Sequence, residues 1–268
     1  MNNRFTESTN RFDTPDPAGA LLMDDGSLGV SELDAFARRG LITSVHCPLT
    51  SGKEATVYCC RAHPSTQAKF LAAKVYREHA ARSYRRSGPY FEGRERVMKA
   101  RTARAIARGT AFGHDAMAAF WMGAEYENLG SLFAAGADVP EPWAIEGRAI
   151  LMDYIGDGAG PAPHLNGIDV PPERGRALFG RILENVEILL SNHRVHGDLS
   201  PYNILVWKDH PWIIDLPQAV DARFNPNAFD LLRRDLENVC GFFARHGVAS
   251  RPLDLALDLW ERYRRAEL

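Results

Sequence analysis

The chain has 268 residues, 45% of them hydrophobic and 25% charged, and a formal net charge of −2. It is long enough for one large or two small domains, and its charge does not mark it as a nucleic-acid binder overall. Four cysteines, at 47, 59, 60 and 240, form no CxxC pair, the start from Met1 to Asn10 lacks an apolar secretory core, and no stretch is apolar enough for a membrane helix, so a cytoplasmic protein with reduced thiols and no membrane partner is expected.

Residues 1–26, rich in Asn, Ser, Thr, Pro, Asp and Gly, read as a mobile tail. Leu28 to Arg39 suits a short helix with Ser31 as its cap. Leu41 to Val45 is strand-like, and Leu49 to Tyr58 reads as a hairpin around the small polar turn Ser51-Gly52-Lys53-Glu54. Phe70 to Tyr76 is a further strand with Lys74 inside it; adjacent Cys59 and Cys60 point to opposite faces of a strand. Residues 82–108 carry nine basic side chains against two acidic ones, so the weak global charge hides a strong asymmetry. A helical period runs from Ala116 to Ala135, with Phe120, Leu129, Leu132 and Phe133 as expected core contacts, and Val139 to Pro142 breaks it.

Ala149 to Met152 is a strand, and Gly158 to Pro163 reads as a linker. Glu173 to His193 is a strong amphipathic helix with Leu178, Ile182, Val186, Leu189 and Leu190 as its stripe. Ile204 to Trp207 and Pro211 to Ile214 read as paired strands, with Lys208-Asp209-His210 as their turn. Helices follow over Asn227 to His246, with Phe229, Leu232, Leu236, Val239 and Phe243 on one face, and over Leu253 to Glu267. The expected fold is α+β and two-lobed like a protein kinase. After the tail, a small β-rich N-lobe over 27–155 carries the basic insertion 82–108, and a mostly helical C-lobe over 156–268 carries a catalytic β-hairpin.

The chemistry concentrates in His196-Gly197-Asp198-Leu199-Ser200-Pro201-Tyr202-Asn203 and Ile213-Ile214-Asp215. One carboxylate to take or orient a hydroxyl proton, then a carboxamide and a second carboxylate to hold magnesium, are the parts phosphoryl transfer needs. Asp198 is the catalytic candidate, and Asn203 and Asp215 are the metal candidates. Lys74, in an otherwise apolar strand, suits phosphate contact and a helix glutamate partner. Glu125 is the candidate partner, with Glu127 the rival about 200° around the helix. Ser51, Gly52 and Lys53 form a turn able to lay N–H groups over phosphates, though SGK also occurs in ordinary turns. Met152, Asp153 and Ile155 end a strand whose backbone suits an adenine edge, through the Asp153 carbonyl and the Ile155 amide. His196 reads as a brace for the loop, and the nine histidines show no zinc spacing.

These stretches resemble the RIO family of atypical serine kinases. The matches are Ser51-Gly52-Lys53-Glu54-Ala55, Lys74-Val75-Tyr76, Leu151 to Gly156, Pro161-Ala162-Pro163, His196 to Asn203, Ile213 to Ala219, and Arg233-Arg234-Asp235 with Asn238, over roughly 42–247. The GKEA and IDxPQ stretches are the specific ones and fit the type-one branch. HGDLxxxN is shared with aminoglycoside and choline kinases. The resemblance implies ATP with Mg2+ or Mn2+ as cofactors and transfer to serine on a protein substrate or on the chain itself. It gives Lys74, Glu125, Asp198, Asn203, Asp215 and Ser51 to Lys53 the roles named above. Gly197 stands where ordinary protein kinases carry an arginine, and Leu-Pro follows Asp215 in place of Phe-Gly, which speaks against an activation-loop switch. Two other functions stay open: an ATPase switch in ribosome- or RNA-associated assembly, with 82–108 on a polyanionic partner, and a small-molecule kinase of the aminoglycoside type.

Overall fold

The computed structural model describes residues 30–77, 108 and 110–268. The expected tail over 1–26 and all of the basic segment except Arg108 lie outside the described residues. The fold is α+β, as expected. A turn of 3-10 helix, Ser31–Leu33, leads into α1, Asp34–Arg38. Ser31 is not the cap: Val30 holds that position, and the Ser31 hydroxyl turns to Glu32.

Strands β1 (Ile42–Ser51), β2 (Ala55–Ala62), β3 (Phe70–Tyr76), β4 (Pro142–Glu146) and β5 (Ala149–Asp153) form one antiparallel sheet in the order β1-β2-β3-β5-β4. Its middle strand is β3, where Lys74 stands opposite Val57 on one side and Ile150 on the other. The period-2 alternation of β3 sends Leu71, Ala73 and Val75 into the core under α1, with Phe36 and Cys60. Lys74 and Tyr76 therefore face the other side. Both Cys59 and Cys60 are buried, because this part of the sheet is covered on both faces. Strand β4 was not legible in the sequence, where Pro142 reads as a breaker. It lies at the sheet edge and Pro142 opens it, so the missing N–H removes no needed ladder bond.

Helix α2, Ala111–Ala134, begins on Thr110, whose hydroxyl accepts Gly113 N at 3.0 Å. Of its expected core contacts, Leu129 and Leu132 are buried. Phe133 is not: it is 39% exposed, because Leu129 and Leu132 already define the buried side of that turn. The stretch expected as a linker is a small ladder, β6 (Gly156–Asp157) against β7 (Gly160–Pro161). Gly156 makes it possible, at φ +149°, where an added Cβ would come within 2.5 Å of Gly160 O.

The C-terminal half holds α3 (Pro172–Ser191), β8 (Arg194–Val195), β9 (Ile204–Trp207), β10 (His210–Ile213), β11 (Val220–Asp221), α4 (Ala228–Arg245) and α5 (Pro252–Arg264). The expected stripe of α3 is buried throughout, and so is that of α4 except for a partly buried Phe229. The β9–β10 hairpin is tighter than expected. His210 belongs to β10, opposite Trp207. The turn is Lys208-Asp209 alone, both at positive φ, the two-residue form that suits strand twist. Residues 196–203, between β8 and β9, are the catalytic candidate loop.

Candidate active site

Strand β3 and helix α2 meet at an ion-pair cluster. Lys74 Nζ lies 2.7 Å from Glu125 Oε1 and 2.7 Å from Asp215 Oδ1. Glu125 is buried, and Glu127 is exposed on the other side of the helix, which decides between the two in favour of Glu125. The Tyr76 hydroxyl donates to Glu125 Oε2, and Leu216 N donates to Oε1 at 3.3 Å. Burial alone would pull the Lys74 ammonium down, but Asp215 and Glu125 together hold it well above the usual lysine range. Burial pushes the Glu125 carboxyl up against the pull of Lys74. Asp215 is held low: burial opposes its charge, and Lys74 outweighs that opposition.

The loop carrying Asp198 is pinned from below by α4. Asp235, 2% exposed, accepts Gly197 N and Leu199 N at 2.8 Å each. Arg234 donates to Gly197 O, and Asn238 Nδ2 donates to Leu199 O at 3.1 Å. Both neighbours of Asp198 are thus fixed, while its own side chain reaches solvent. Burial of the carboxyl pushes Asp198 up, Arg234 pulls it back, and Asp215 and Glu54 push it up again. Burial lifts Asp235 to about 7 against its two amide donors.

His196 is buried, and burial lowers its pKa. Nε2 donates to Ile214 O at 3.1 Å, and Nδ1 accepts Asp198 N at 3.3 Å. One neutral tautomer satisfies both contacts, so the imidazole braces the loop against the strand end before Asp215. Asn203 Nδ2 donates to Asp198 O at 2.9 Å, which commits the amide nitrogen and turns the carbonyl oxygen away from that contact. The remaining donor set is an amide oxygen and an ionised carboxylate. Hard oxygen ligands of this kind, few in number, fit a magnesium- or manganese-type cation that takes the rest of its shell from phosphates and water. Among the described residues no cluster of three acidic, His or Cys side chains could hold a metal by itself.

In the Ser51–Lys53 turn, Gly52 N donates to Ala55 O at 2.9 Å, so this amide is spent on the turn itself. Ser51 Oγ accepts from Arg77 at 2.6 Å, and the Lys53 side chain is exposed. Met152 and Asp153 lie on β5 opposite Ala72 and Leu71. The Asp153 carboxylate accepts Trp143 Nε1 at 2.8 Å, and the Ile155 carbonyl accepts Ala162 N at 2.9 Å. Residue-type reasoning missed Tyr76 and Asn128 and gave Asp235 no role. Asp235 carries a signal, an acid inside the stripe made by Leu232, Leu236 and Val239.

The sequence profile of the RIO domain matches residues 56–255. The RIO-type serine/threonine-protein kinase Rio1 of Thermoplasma acidophilum is 31% identical over 184 residues, 69% of this chain and 90% of that protein. The serine/threonine-protein kinase rio1 of Schizosaccharomyces pombe is 30% identical over 246 residues, 88% of this chain and 47% of its own length. For the human serine/threonine-protein kinase RIO1 the figures are 31% over 214 residues, 79% and 35%. The chain thus spans less than half of these two eukaryotic relatives. No described helix is long and apolar enough to cross a membrane. With the domain match covering most of its length, the chain belongs to the RIO family of serine/threonine protein kinases.

Proposed function

We propose that this chain transfers the γ-phosphoryl group of ATP to a serine hydroxyl, on another protein or on itself. The observation that carries this reading is the junction of Lys74, Glu125 and Asp215, at 2.7 Å for each lysine contact, in a chain with a RIO domain. Lys74, kept charged by its two carboxylates, binds the nucleotide phosphates, and Glu125 orients it. The Ser51–Lys53 turn covers the phosphates through Lys53 and its remaining backbone. The backbone of Met152, Asp153 and Ile155 takes the adenine edge. Asn203 and Asp215 would hold Mg2+ or Mn2+, which when bound would supply positive charge against the phosphates. Residues 27–155 and 156–268 act as the two lobes around this site, and the four cysteines, none in a disulfide among the described residues, suit a cytoplasmic protein.

Asp198 accepts the proton of the attacking hydroxyl. The serine Oγ–phosphorus bond forms, the bond to the ADP oxygen breaks, and the proton passes from Asp198 to solvent. Its raised carboxyl makes it a better acceptor, and the two backbone bonds to Asp235 hold it in line. The test is transfer from γ-labelled ATP to the wild-type chain alone and with protein substrates, followed by phosphoamino-acid analysis. Phosphoserine that disappears in Asp198→Asn is expected. Label released only as inorganic phosphate refutes the reading in favour of an ATPase, and label on small alcohols or aminoglycosides refutes it in favour of a small-molecule kinase.

A further inference from the structure

We propose that Asn128 is a positioning residue for the metal ligand Asp215, acting through the backbone of Leu216; this rests on the assignment of Asp215 made above. Asp215 has φ +67°, a left-handed conformation that a non-glycine residue keeps only when its surroundings impose it. Its side chain reaches solvent on one side and is tied by Oδ1 to Lys74 Nζ at 2.7 Å on the other. The backbone on either side is held as well. Upstream, His196 Nε2 donates to Ile214 O at 3.1 Å. Downstream, α2 reaches both polar groups of Leu216: its N–H donates to Glu125 Oε1 at 3.3 Å, and its carbonyl accepts Asn128 Nδ2 at 3.3 Å beside the local turn donor Ala219 N at 3.2 Å. Glu125 and Asn128 are three residues apart, on one face of one helical turn, so α2 holds Leu216 at two points.

Asn128 is itself held. It is 4% exposed, and its Oδ1 accepts Arg194 Nε at 2.8 Å. An arginine Nε only donates, so the amide oxygen must face Arg194 and the amide nitrogen must face Leu216. Arg194 in turn reaches Asp221 Oδ2 at 3.1 Å across the β8–β11 pair. The helix that supplies Glu125 to Lys74 therefore also sets where Asp215 points. Helix position and metal-ligand geometry become one variable, fixed by permanent side chains with no added phosphate.

The test measures Mn2+ binding by electron paramagnetic resonance in the presence of a non-hydrolysable ATP analogue, beside binding of the same analogue without metal. Asn128→Asp keeps the acceptor for Arg194 and removes the donor to Leu216 O. We expect Mn2+ affinity to fall roughly tenfold, the order of one net buried hydrogen bond, with metal-free analogue binding unchanged and with kcat recovering at high metal concentration. Arg194→Ala leaves Asn128 in place but unanchored and should shift Mn2+ affinity in the same direction by roughly threefold; it carries the test if circular dichroism shows Asn128→Asp unfolded. Unchanged Mn2+ affinity in the folded variant overturns the proposal, as does an equal fall in metal-free analogue binding. Asp215→Asn is the separate control. If it binds Mn2+ as the wild type does, the assignment of Asp215 itself is wrong, and the proposal fails with it.

Discussion

Replacing Asp235 by Asn exchanges one oxygen for an amine in the buried anchor beneath the catalytic loop. In the wild-type chain the two carboxylate oxygens accept Gly197 N and Leu199 N, each at 2.8 Å. An asparagine offers one acceptor to these two donors and turns its amine toward the other, leaving one buried N–H unmatched at about 1–3 kcal/mol. Asp235→Ala strands both donors, at about 2–6 kcal/mol, a large part of the ~5–15 kcal/mol that holds a domain folded. Asp198, the proposed proton acceptor, sits between the two donors, and a misplacement of about 1 Å at a reacting group costs roughly a hundredfold in rate. Asp235→Asn should therefore stay folded and lose turnover on that order. A second signature is pH-dependent. The folded carboxyl sits at about 7, whereas an unfolded aspartate titrates near ~3.9. An acid with a raised folded value keeps its proton longer when folded, so the contribution of Asp235 to wild-type stability falls as pH climbs from about 4 to about 7 and is level above that. The Asn variant lacks this slope. Urea midpoints of both proteins, followed by circular dichroism across that range, should converge toward high pH as the wild type loses stability. Parallel curves, or wild-type turnover in folded Asp235→Asn, would refute the account.

Asp198→Asn should lose orders of magnitude in turnover yet still bind ATP, whereas Lys74→Ala should weaken binding as well; equal ATP loss in isothermal titration would sink that division of roles. Gly156→Ala forces a Cβ toward Gly160 O at a φ of +149°, so a drop in melting temperature of several degrees is expected, and an unchanged melting curve would show the β6–β7 ladder to be dispensable. For the basic segment, replacing Arg94, Arg96, Arg101 and Arg104 by Ala should flatten the salt dependence of RNA binding; an identical slope, or no RNA binding at low salt, removes the polyanion hypothesis.

The parts of the fold set by local pattern were legible. Strand β3 and helices α3 and α4 declare themselves by period, and the expected bounds agree with the observed ones within about two residues. What was not legible depends on partners distant in sequence. Strand β4 is short, opens on proline, and exists because the edge of β5 needs pairing. The β6–β7 ladder looks like a linker because its glycines serve backbone approach, which composition alone does not distinguish from flexibility. Among site residues, Lys74, Glu125, Asp198, Asn203 and Asp215 stand out as polar groups at odd positions or set spacings, and the structure brings Lys74, Glu125 and Asp215 into direct contact. Tyr76 and Asn128 carry no such mark. Their roles arise from what they touch, a buried carboxylate and a backbone carbonyl 88 residues away. Asp235 stands in the sequence as a polar residue on an apolar face, a pattern that points to buried backbone or side-chain partners.

The apolar side chains segregate into separate sets, one under α1 and the sheet and a larger one joining α3, α4 and α5 with the end of α2. Met122, Tyr76, Ile150 and Ala55 form a small third set between them, and Met152 packs against both this set and the larger core. Cooperativity in melting comes from shared apolar burial, and among the described residues little is shared. The free chain should thus unfold over a broad range of temperature, the smaller core yielding on its own. A nucleotide gripped by both halves adds about 2.7 kcal/mol at a hundredfold excess over its Kd, and it adds this only while both halves are folded. Calorimetry with and without ATP should then show a broad transition narrowing into one, so that the sharpness of melting, apart from its temperature, reports whether the two halves act as a unit.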